Sequence, residues 1–265
     1  MEKKIKLFLS GLFPKGKNKE LFKLKYYNFI TPNNIKFKIN DLDNTYYTNY
    51  NYLEFVTAEP LYLIYPDFEY YQHLYKIKSE DIVMDAGAND GYLTLLFSKL
   101  IGKNGKVYAF EPDAINIKNI AKNIALDKSL LDNIKIEELL LWNSNEKIDF
   151  YEAGTVGSSA IWVPDANKTV KKQAVTIDSW VLENNIQKLD FIKMDIEGAE
   201  IKAIEGCLET IKTLKPNFAI ASYHIVNDEP TYIKLEKFFT ALNYPVKTLK
   251  LSKNEIITFA GNFEK

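Results

Sequence analysis

The sequence predicts an α/β protein with a mostly parallel sheet, helices on both faces and a C-terminal antiparallel hairpin. From Ile82 onward, short apolar runs alternate with segments whose apolar residues recur at helical spacing, as in successive strand–helix units. The last two apolar runs, VKTLKL and EIITFAG, are separated only by a polar turn, which favours antiparallel pairing. With 265 residues, the chain is long enough for one large core and a smaller extension.

The first part of the chain differs from the rest. We assign residues 1–78 to an N-terminal extension and residues 79–265 to the main domain. Three runs between residues 35 and 65, IKFKI, YLEFV and LYLIY, predict short strands. Nine of the 17 tyrosines lie between Tyr46 and Tyr75, which favours aromatic packing on a small sheet. The alternatives are a lid whose rings stack on a substrate and an oligomerisation element.

The elements of the main domain follow in order. The predicted strands are IVMDA (82–86), KVYAFE (106–111), IKIEELLLW (134–142), LDFIKMDI (189–196), NFAIASYH (217–224) and the two strands of the closing hairpin. Helical spacing predicts helices after Gly91, after the capping residue Asp113, and over residues 201–211 and 230–242. KIDFYEAG and SSAIWV predict a hairpin-like insertion after the third strand.

Composition and charge limit the classes of partner. The formal net charge of −1 gives no overall attraction for polyanions. The positive side chains are all lysine, and the lack of arginine disfavours a nucleic-acid partner, because arginine supplies the planar fork that reads guanine and grips phosphate. A single cysteine, Cys207, excludes an internal disulfide. The apolar part of MEKKIKLFLSGLF is too short for a membrane span, and we expect a cytoplasmic protein without a transmembrane segment.

Four polar side chains fall at the ends of predicted strands. They are Asp85, Glu111, Asp195 and His224. Ligands of open parallel sheets bind beyond the carboxyl ends of the strands, which share one edge of the sheet. The sequence therefore predicts a ligand site at this edge.

The turn after Asp85 indicates the class of ligand. Gly87 and Gly91 form Gly-x-x-x-Gly instead of the Gly-x-Gly-x-x-Gly of dinucleotide sites, and Asp90 adds a carboxylate where a pyrophosphate would approach. Such a site suits a ligand with an ammonium and a sulfonium group, whose positive end Asp85 attracts directly or through water. Glu111 is placed to accept both ribose hydroxyls. S-adenosylmethionine meets this description.

Five segments together resemble FkbM-type S-adenosylmethionine-dependent methyltransferases: DAGANDGYLT, VYAFEPD, SSAIW, IDSW and LDFIKMDIEGAE. The resemblance covers roughly residues 60 to 260. It implies a class I (Rossmann-like) methyltransferase fold with a seven-stranded sheet, and O-methylation of a sugar or polyketide-like hydroxyl.

The resemblance also implies site residues. Those implied for the cofactor are Asp85, Gly87, Asn89, Gly91 and Glu111, with Pro112 and Leu140 beside the adenine. The Gly-Ser-Ser element of the family matches Gly157, Ser158 and Ser159, and the two serines are expected to face the acceptor. Many relatives read Glu-x-His after the fifth strand, whereas this chain has Ser222, Tyr223 and His224, so no role of that glutamate is carried over.

Methyl transfer to a hydroxyl needs an aligned acceptor and a group that removes its proton. We expect His224 to be the base, with Asp195 and Glu197 orienting it, accepting hydrogen bonds from the acceptor or binding the ammonium of the cofactor. Lys193 is expected to pair with an acid at the substrate site or to occupy a sheet edge. An alternative is Mg²⁺ or Mn²⁺ held by Asp195, Glu197 and Asp228. We rank it below the metal-free arrangement, because the sequence contains no dense carboxylate array.

The sequence thus favours a methyltransferase that uses S-adenosylmethionine to methylate a carbohydrate hydroxyl, on a nucleotide-linked or lipid-linked sugar or a surface-glycan precursor. An alternative acceptor is a non-sugar small molecule or a phosphoramidate-like group. Two further classes are an NAD(P)-dependent dehydrogenase, which the glycine spacing and Asp90 disfavour, and a non-catalytic S-adenosylmethionine-binding module. A homo-oligomer is left open.

Overall fold

The computed structural model describes residues 16–32, 34–40, 45–51, 53–57, 60–63, 66–130, 132–155 and 157–263. The segment MEKKIKLFLSGLF lies outside these ranges. Within them, no helix combines the length and hydrophobicity that crossing a bilayer requires.

The chain divides into two compact units, residues 1–65 and 66–265. This division precedes the boundary expected at residues 78 and 79. The segment between the two boundaries packs on the main sheet, since the ring of Tyr75 stacks on Phe191 with 5.4 Å between centroids.

The first unit pairs one helix with a small antiparallel sheet. Its elements are α1 (Lys17–Ile30), β1 (Ile35–Ile39), β2 (Tyr46–Tyr50), β3 (Leu53–Thr57) and a 3₁₀ turn (Leu61–Leu63), with the strands in the order β1-β2-β3. Tyrosine packing holds the unit together as predicted: Tyr62 stacks on Tyr27 at 4.4 Å, and its hydroxyl donates to Glu20 Oε2 at 2.9 Å.

The strand expected over LYLIY is wrong for Leu61–Leu63, which form the 3₁₀ turn, and β2 was not predicted. The buried ring of Tyr62 belongs to the 3₁₀ turn and is anchored by α1, so this segment needs no strand partner. The missed strand has the sequence YYTNY. Tyrosine and threonine are common in strands, but this segment does not alternate apolar with polar residues.

The second unit contains the predicted strand–helix alternation. Its elements are α2 (Asp67–Tyr70), β4 (Ile82–Ala86), α3 (Tyr92–Ile101), β5 (Lys106–Phe110), α4 (Ala114–Leu126), β6 (Ile134–Glu137), β7 (Leu140–Leu141), β8 (Glu146–Tyr151), β9 (Thr169–Val175), α5 (Ile177–Glu183), β10 (Phe191–Met194), α6 (Glu200–Glu205), α7 (Leu208–Thr213), β11 (Asn217–Ala221), β12 (Ile225–Val226), β13 (Glu229–Pro230), α8 (Thr231–Ala241), β14 (Val246–Lys250) and β15 (Ile256–Ala260), with 3₁₀ turns at Lys128–Leu130 and Ala166–Lys168.

Seven strands form the main sheet in the order β14-β15-β11-β10-β4-β5-β6. The five strands from β11 to β6 are parallel, and β14 and β15 are the predicted antiparallel hairpin. Helices cover both faces because alternate strand residues point in opposite directions. Ile192 packs in a core with Trp180 of α5 and Phe239 of α8, while its neighbour Phe191 contacts Phe97 of α3 on the other face. The α/β, Rossmann-like fold class is confirmed.

Three local expectations were wrong. The third strand ends at Glu137, and β7 leaves it to join a second sheet, β7-β9-β8. The insertion hairpin pairs β8 with β9, whereas Ser159 makes only an isolated bridge to Tyr151. The helix expected over residues 201–211 is interrupted at Gly206, where a Cβ would lie 2.3 Å from the carbonyl oxygen of Trp142.

Candidate active site

The order of the strands brings the predicted site residues to one edge of the sheet. The chain runs from β4 outward to β6 on one side, and returns to β10 and β11 on the other. The carboxyl ends of β4 and β10 therefore flank the point where the strand order reverses, which is where open α/β sheets form a crevice. Asp85 stands opposite Lys193 across this junction.

The glycine-rich turn packs against the end of β10. Gly87 has φ +78, and a Cβ on it would lie 1.8 Å from the carbonyl oxygen of Asp195. Gly91 (φ +83) begins α3 against Ile120, and Asn89 also adopts a positive φ, of 50°. Close backbone packing thus explains Gly87 independently of any ligand.

Asp85 and Lys193 form a buried ion pair. Their Oδ1 and Nζ atoms are 3.1 Å apart, and Asp85 accepts a second contact from the Thr94 hydroxyl at 2.6 Å. Lys193 also donates to the Gly87 carbonyl at 2.8 Å. Burial acts to lower the pKa of Lys193, but the carboxylate of Asp85 outweighs it and the pKa is raised. The ion pair and these hydrogen bonds involve no ligand, so the ligand contacts expected for Asp85 and for Lys193 stay predictions.

Glu111 is fixed at the end of β5. Its two oxygens accept the backbone N–H groups of Asn89 (2.8 Å) and Asp113 (2.9 Å). Burial raises its pKa to about 7. Because each carboxylate oxygen has a further lone pair, Glu111 can still accept the two hydroxyls of a ribose. Pro112, which lies between Glu111 and Asp113 in the sequence, is half-buried.

Leu140 and the two serines lie in or beside the second sheet. Leu140 packs with Phe150 and Ala174, and its expected contact with adenine stays a prediction. The Ser158 hydroxyl donates to Asp113 at 2.6 Å, at the cap of α4, and the Ser159 hydroxyl donates to the Glu197 carbonyl at 3.0 Å. Both serines thus anchor the insertion to the sheet edge, and their contact with an acceptor stays a prediction.

His224 lies among carboxylates. Its Nδ1 is 3.1 Å from Glu200 Oε1, and its Nε2 is 3.8 Å from Asp195 Oδ1 and 3.6 Å from Glu197 Oε2. Burial would lower the pKa of His224, but Glu197 and Glu200 outweigh it and raise the pKa to about 11. The imidazole therefore carries a proton at neutral pH in this arrangement and cannot accept another. In the absence of a further ligand the raised pKa disfavours His224 as the base, and its catalytic role stays a prediction.

Sequence reasoning missed Glu200, although it belongs to the quoted DIEGAE segment. Glu200 is fully buried at the start of α6, and its Oε1 also accepts the N–H groups of Ile196 (3.1 Å) and Gly198 (3.2 Å). The signal in the sequence was a second acid three residues after Glu197. The carboxylate of this acid, Glu200, accepts N–H groups on both sides of Glu197.

A second group of missed residues comes from distant segments. The Tyr71 hydroxyl donates to Asp195 Oδ2 at 2.9 Å, and the Tyr92 hydroxyl donates to Asp67 at 3.2 Å. Burial, followed by the charges of Glu255 and Asp195, raises the pKa of Asp67 to about 7. No motif in the sequence links these positions, because only the fold brings them together.

Among the described residues, Asp195, Glu197 and His224 form a group with the donor atoms to hold a metal ion, since one ligand atom of each lies within 4.8 Å of the others. Asp228, the third ligand expected from the sequence, lies instead in the exposed turn between β12 and β13. The third member of this group is therefore His224 and not Asp228.

Comparisons with known proteins agree with this architecture. The family model described as methyltransferase FkbM domain matches residues 85–246. The chain is 25% identical over 165 residues to the 2-O-methyltransferase NoeI of Sinorhizobium fredii (strain NBRC 101917 / NGR234). This alignment covers 55% of this chain and 64% of NoeI. It is 26% identical over 185 residues to methyltransferase sdnD of Sordaria araneosa, and this alignment covers 57% of this chain and 71% of sdnD.

A solved structure shares the fold. The crystal structure of methyltransferase FkbM from Methylobacillus flagellatus KT matches with a TM-score of 0.50 at 22% identity, covering 69% of this chain and 43% of that one. This chain thus spans less than two thirds of NoeI and less than half of the M. flagellatus protein.

Gly87→Ala should prevent stable folding, because the added Cβ collides with a backbone oxygen at a positive φ. We expect a loss of more than about 4 kcal/mol in the free energy of unfolding, measured by denaturant titration. The matched control is Gly157→Ala, where the nearest atom would lie 3.6 Å away, and we expect a change below about 1 kcal/mol. Equal effects would show that the turn does not pack as described.

Lys193→Met should lower the free energy of unfolding by about 3 to 5 kcal/mol, because it leaves Asp85 buried without a counter-ion. Lys171→Met is the control, since Lys171 and Asp149 pair at 2.9 Å with both side chains exposed, and it should cost less than about 1 kcal/mol. A substrate-binding role alone would leave the stability of Lys193→Met unchanged.

His224 should make stability fall with rising pH. Its pKa is raised from 6.5 to about 11 on folding, so its stabilisation is complete below pH 6.5 and is lost as the pH approaches 11. In a chelating buffer between about pH 7 and 9, it should contribute a decrease of up to about 1.4 kcal/mol per pH unit. Unfolding of His224→Asn should show a flatter pH dependence, and an unchanged slope would refute the raised pKa.

Proposed function

The chain belongs to the FkbM methyltransferase family, and from that premise we propose that it is an S-adenosylmethionine-dependent O-methyltransferase acting on a carbohydrate hydroxyl. The observation that carries the proposal is the pairing of the glycine turn after β4 with the fixed carboxylate of Glu111 at the end of β5. These two features would hold the methionine part and the ribose of the cofactor on neighbouring strand ends.

The charges near the turn support a cationic cofactor. Asp90 accepts a hydrogen bond from Asn119 at 2.9 Å and remains beside the start of α3, where a pyrophosphate would need to approach. Glu111 and Asp195 add carboxylates at the two adjoining strand ends. An ammonium and a sulfonium group are attracted by these acids, whereas a dinucleotide is repelled.

The acceptor would lie over the ends of β10 and β11, beside Asp195 and Glu197. Carboxylates are suitable partners for several hydroxyls of a sugar, because each oxygen accepts hydrogen bonds. The similarity to a 2-O-methyltransferase supports oxygen as the atom that is methylated. Nucleotide-linked and lipid-linked sugars, and surface-glycan precursors, remain within the proposal.

A carboxylate of this cluster would receive the acceptor proton in the metal-free protein. The raised pKa of His224 leaves Asp195 and Glu197 as the neighbouring groups with free acceptor capacity. We propose that His224 instead stabilises these carboxylates as an imidazolium, and that the insertion closes the acceptor side with Trp162, whose ring is 5.5 Å from that of His224.

The test is binding and transfer with the full chain. Calorimetry should show binding of S-adenosylmethionine and none of NAD(P), and Glu111→Gln should weaken binding about 10- to 100-fold by removing charge-assisted hydrogen bonds to the ribose. Glu137→Gln, at the end of the next strand, is the control and should bind like the wild type. Both variants should first be compared with the wild type by thermal unfolding.

Transfer of a labelled methyl group to a panel of free, nucleotide-linked and lipid-linked sugars identifies the acceptor. Methylation of a sugar hydroxyl is the expected outcome. Turnover only with non-sugar or phosphoramidate-like acceptors would reject the carbohydrate, cofactor binding without any turnover would favour a binding module, and binding of NAD(P) instead would reject the proposal as a whole.

A further inference from the structure

We propose that Asp195, Glu197 and His224 bind one divalent cation at the acceptor side of the site. The existence of this ion site follows from the geometry of the three side chains, and only its role in orienting the acceptor rests on the proposed function.

The distances within the group suit ligands of a shared ion better than direct hydrogen bonds. His224 Nε2 lies 3.8 Å from Asp195 Oδ1 and 3.6 Å from Glu197 Oε2. Both separations exceed the roughly 2.7 to 3.2 Å of a hydrogen bond. Two ligands at about 2.1 Å from one ion are about 3.4 to 3.8 Å apart when the angle between them is moderately obtuse.

His224 supplies an observation independent of the acidic residues. Its side chain is only 5% exposed, and its Nε2 has no hydrogen-bond partner in the described part of the chain. Asp195 Oδ1, which faces it, is also buried without a hydrogen bond. Buried polar atoms without partners are costly, and an ion between them, which displaces the Nε2 proton that His224 carries in the metal-free protein, would satisfy both.

Glu200 lies beside the other ring nitrogen as an ion-pair partner, since neither ring nitrogen makes a hydrogen bond within the described residues. Glu200 Oε1 lies 3.1 Å from His224 Nδ1 and is itself fixed by the N–H groups of Ile196 and Gly198. A carboxylate on one ring nitrogen, with the other nitrogen facing two carboxylates, is the usual surrounding of a metal-binding histidine. The rings of Tyr223 and Trp162 lie beside the imidazole, at 4.3 and 5.5 Å, and limit its rotation.

Charge balance and access also favour a cation. Three carboxylates surround His224, while the nearby Lys193 is paired with Asp85. The side chains of Asp195 and Glu197 are 25% and 27% exposed, so an ion can enter and keep an open coordination position. One imidazole with two carboxylates is a donor set for a divalent first-row ion such as Mn²⁺. An acceptor hydroxyl in the open position would be oriented toward the cofactor.

The experiment is a titration of the chelator-treated full chain with Mn²⁺, with free Mn²⁺ measured by electron paramagnetic resonance and no cofactor or acceptor present. The wild type should bind one ion per chain. Asp195→Asn and Glu197→Gln should each weaken binding by more than about 100-fold, and Glu200→Gln, which removes the negative charge beside His224 Nδ1, by about 10- to 100-fold. Asp228→Asn should bind like the wild type.

Asp228→Asn is a matched control because Asn also tolerates the positive φ, of 62°, at this turn. Thermal unfolding without metal should show that each variant is folded, and a given Mn²⁺ concentration should raise the unfolding temperature of the wild type and Asp228→Asn more than that of the other variants. Absence of Mn²⁺ binding by the wild type, or equal binding by Glu197→Gln, would overturn the inference.

A methyl-transfer assay with and without chelator separates this inference from the proposed function. Binding of Mn²⁺ at these residues without transfer to any acceptor would reject the function and retain the site. Full transfer in chelator by a chain that binds no Mn²⁺ would reject the site and retain the function.

Discussion

The close apposition of β4 and β10 at the reversal of strand order is the constraint on which the rest of the site depends. Gly87 packs on the Asp195 carbonyl, and Lys193 spans the same junction to reach both Asp85 and the Gly87 carbonyl. These contacts fix the turn that would receive the cofactor to the strand end that carries the acidic cluster. The two reactants of a transfer reaction would therefore meet at one rigid backbone junction, as catalysis by orientation requires.

The same junction separates two electrostatic environments. On one side Asp85 and Lys193 neutralise each other in a buried pair. On the other, Asp195, Glu197 and Glu200 surround a single histidine. The left-handed turn at Glu197 and Gly198, with φ values of 52° and 92°, aims these acids inward. Such strained turns are common at functional sites, where the surrounding structure must maintain them.

The sequence predicted the strand–helix alternation, the parallel sheet and the closing hairpin, because buried strands and amphipathic helices leave local periodic patterns. It also predicted that Asp85, Glu111, Asp195 and His224 share one edge, because that follows from strand polarity. The expected pairing of Lys193 with an acid is observed, but the sequence did not identify that acid as Asp85, and it did not predict that Tyr71 would reach Asp195, because neither partner has a local signature. The raised pKa of His224 depends on Glu197 and on Glu200, and the position of Glu200 beside the imidazole follows only from the folded turn.

The insertion has a consequence for how this scaffold can diversify. Ser158 and Ser159 fasten the loop between β8 and β9 to Asp113 and to the Glu197 carbonyl, and β9 then pairs with β7 and β8. Between these attachments, Trp162 and Val163 are exposed. Substitution of exposed residues of this loop such as Val163 would alter its surface while leaving the contacts of Ser158, Ser159 and β9 in place. The exposed surface of this tethered loop could thus change during evolution without rebuilding the sheet beneath it.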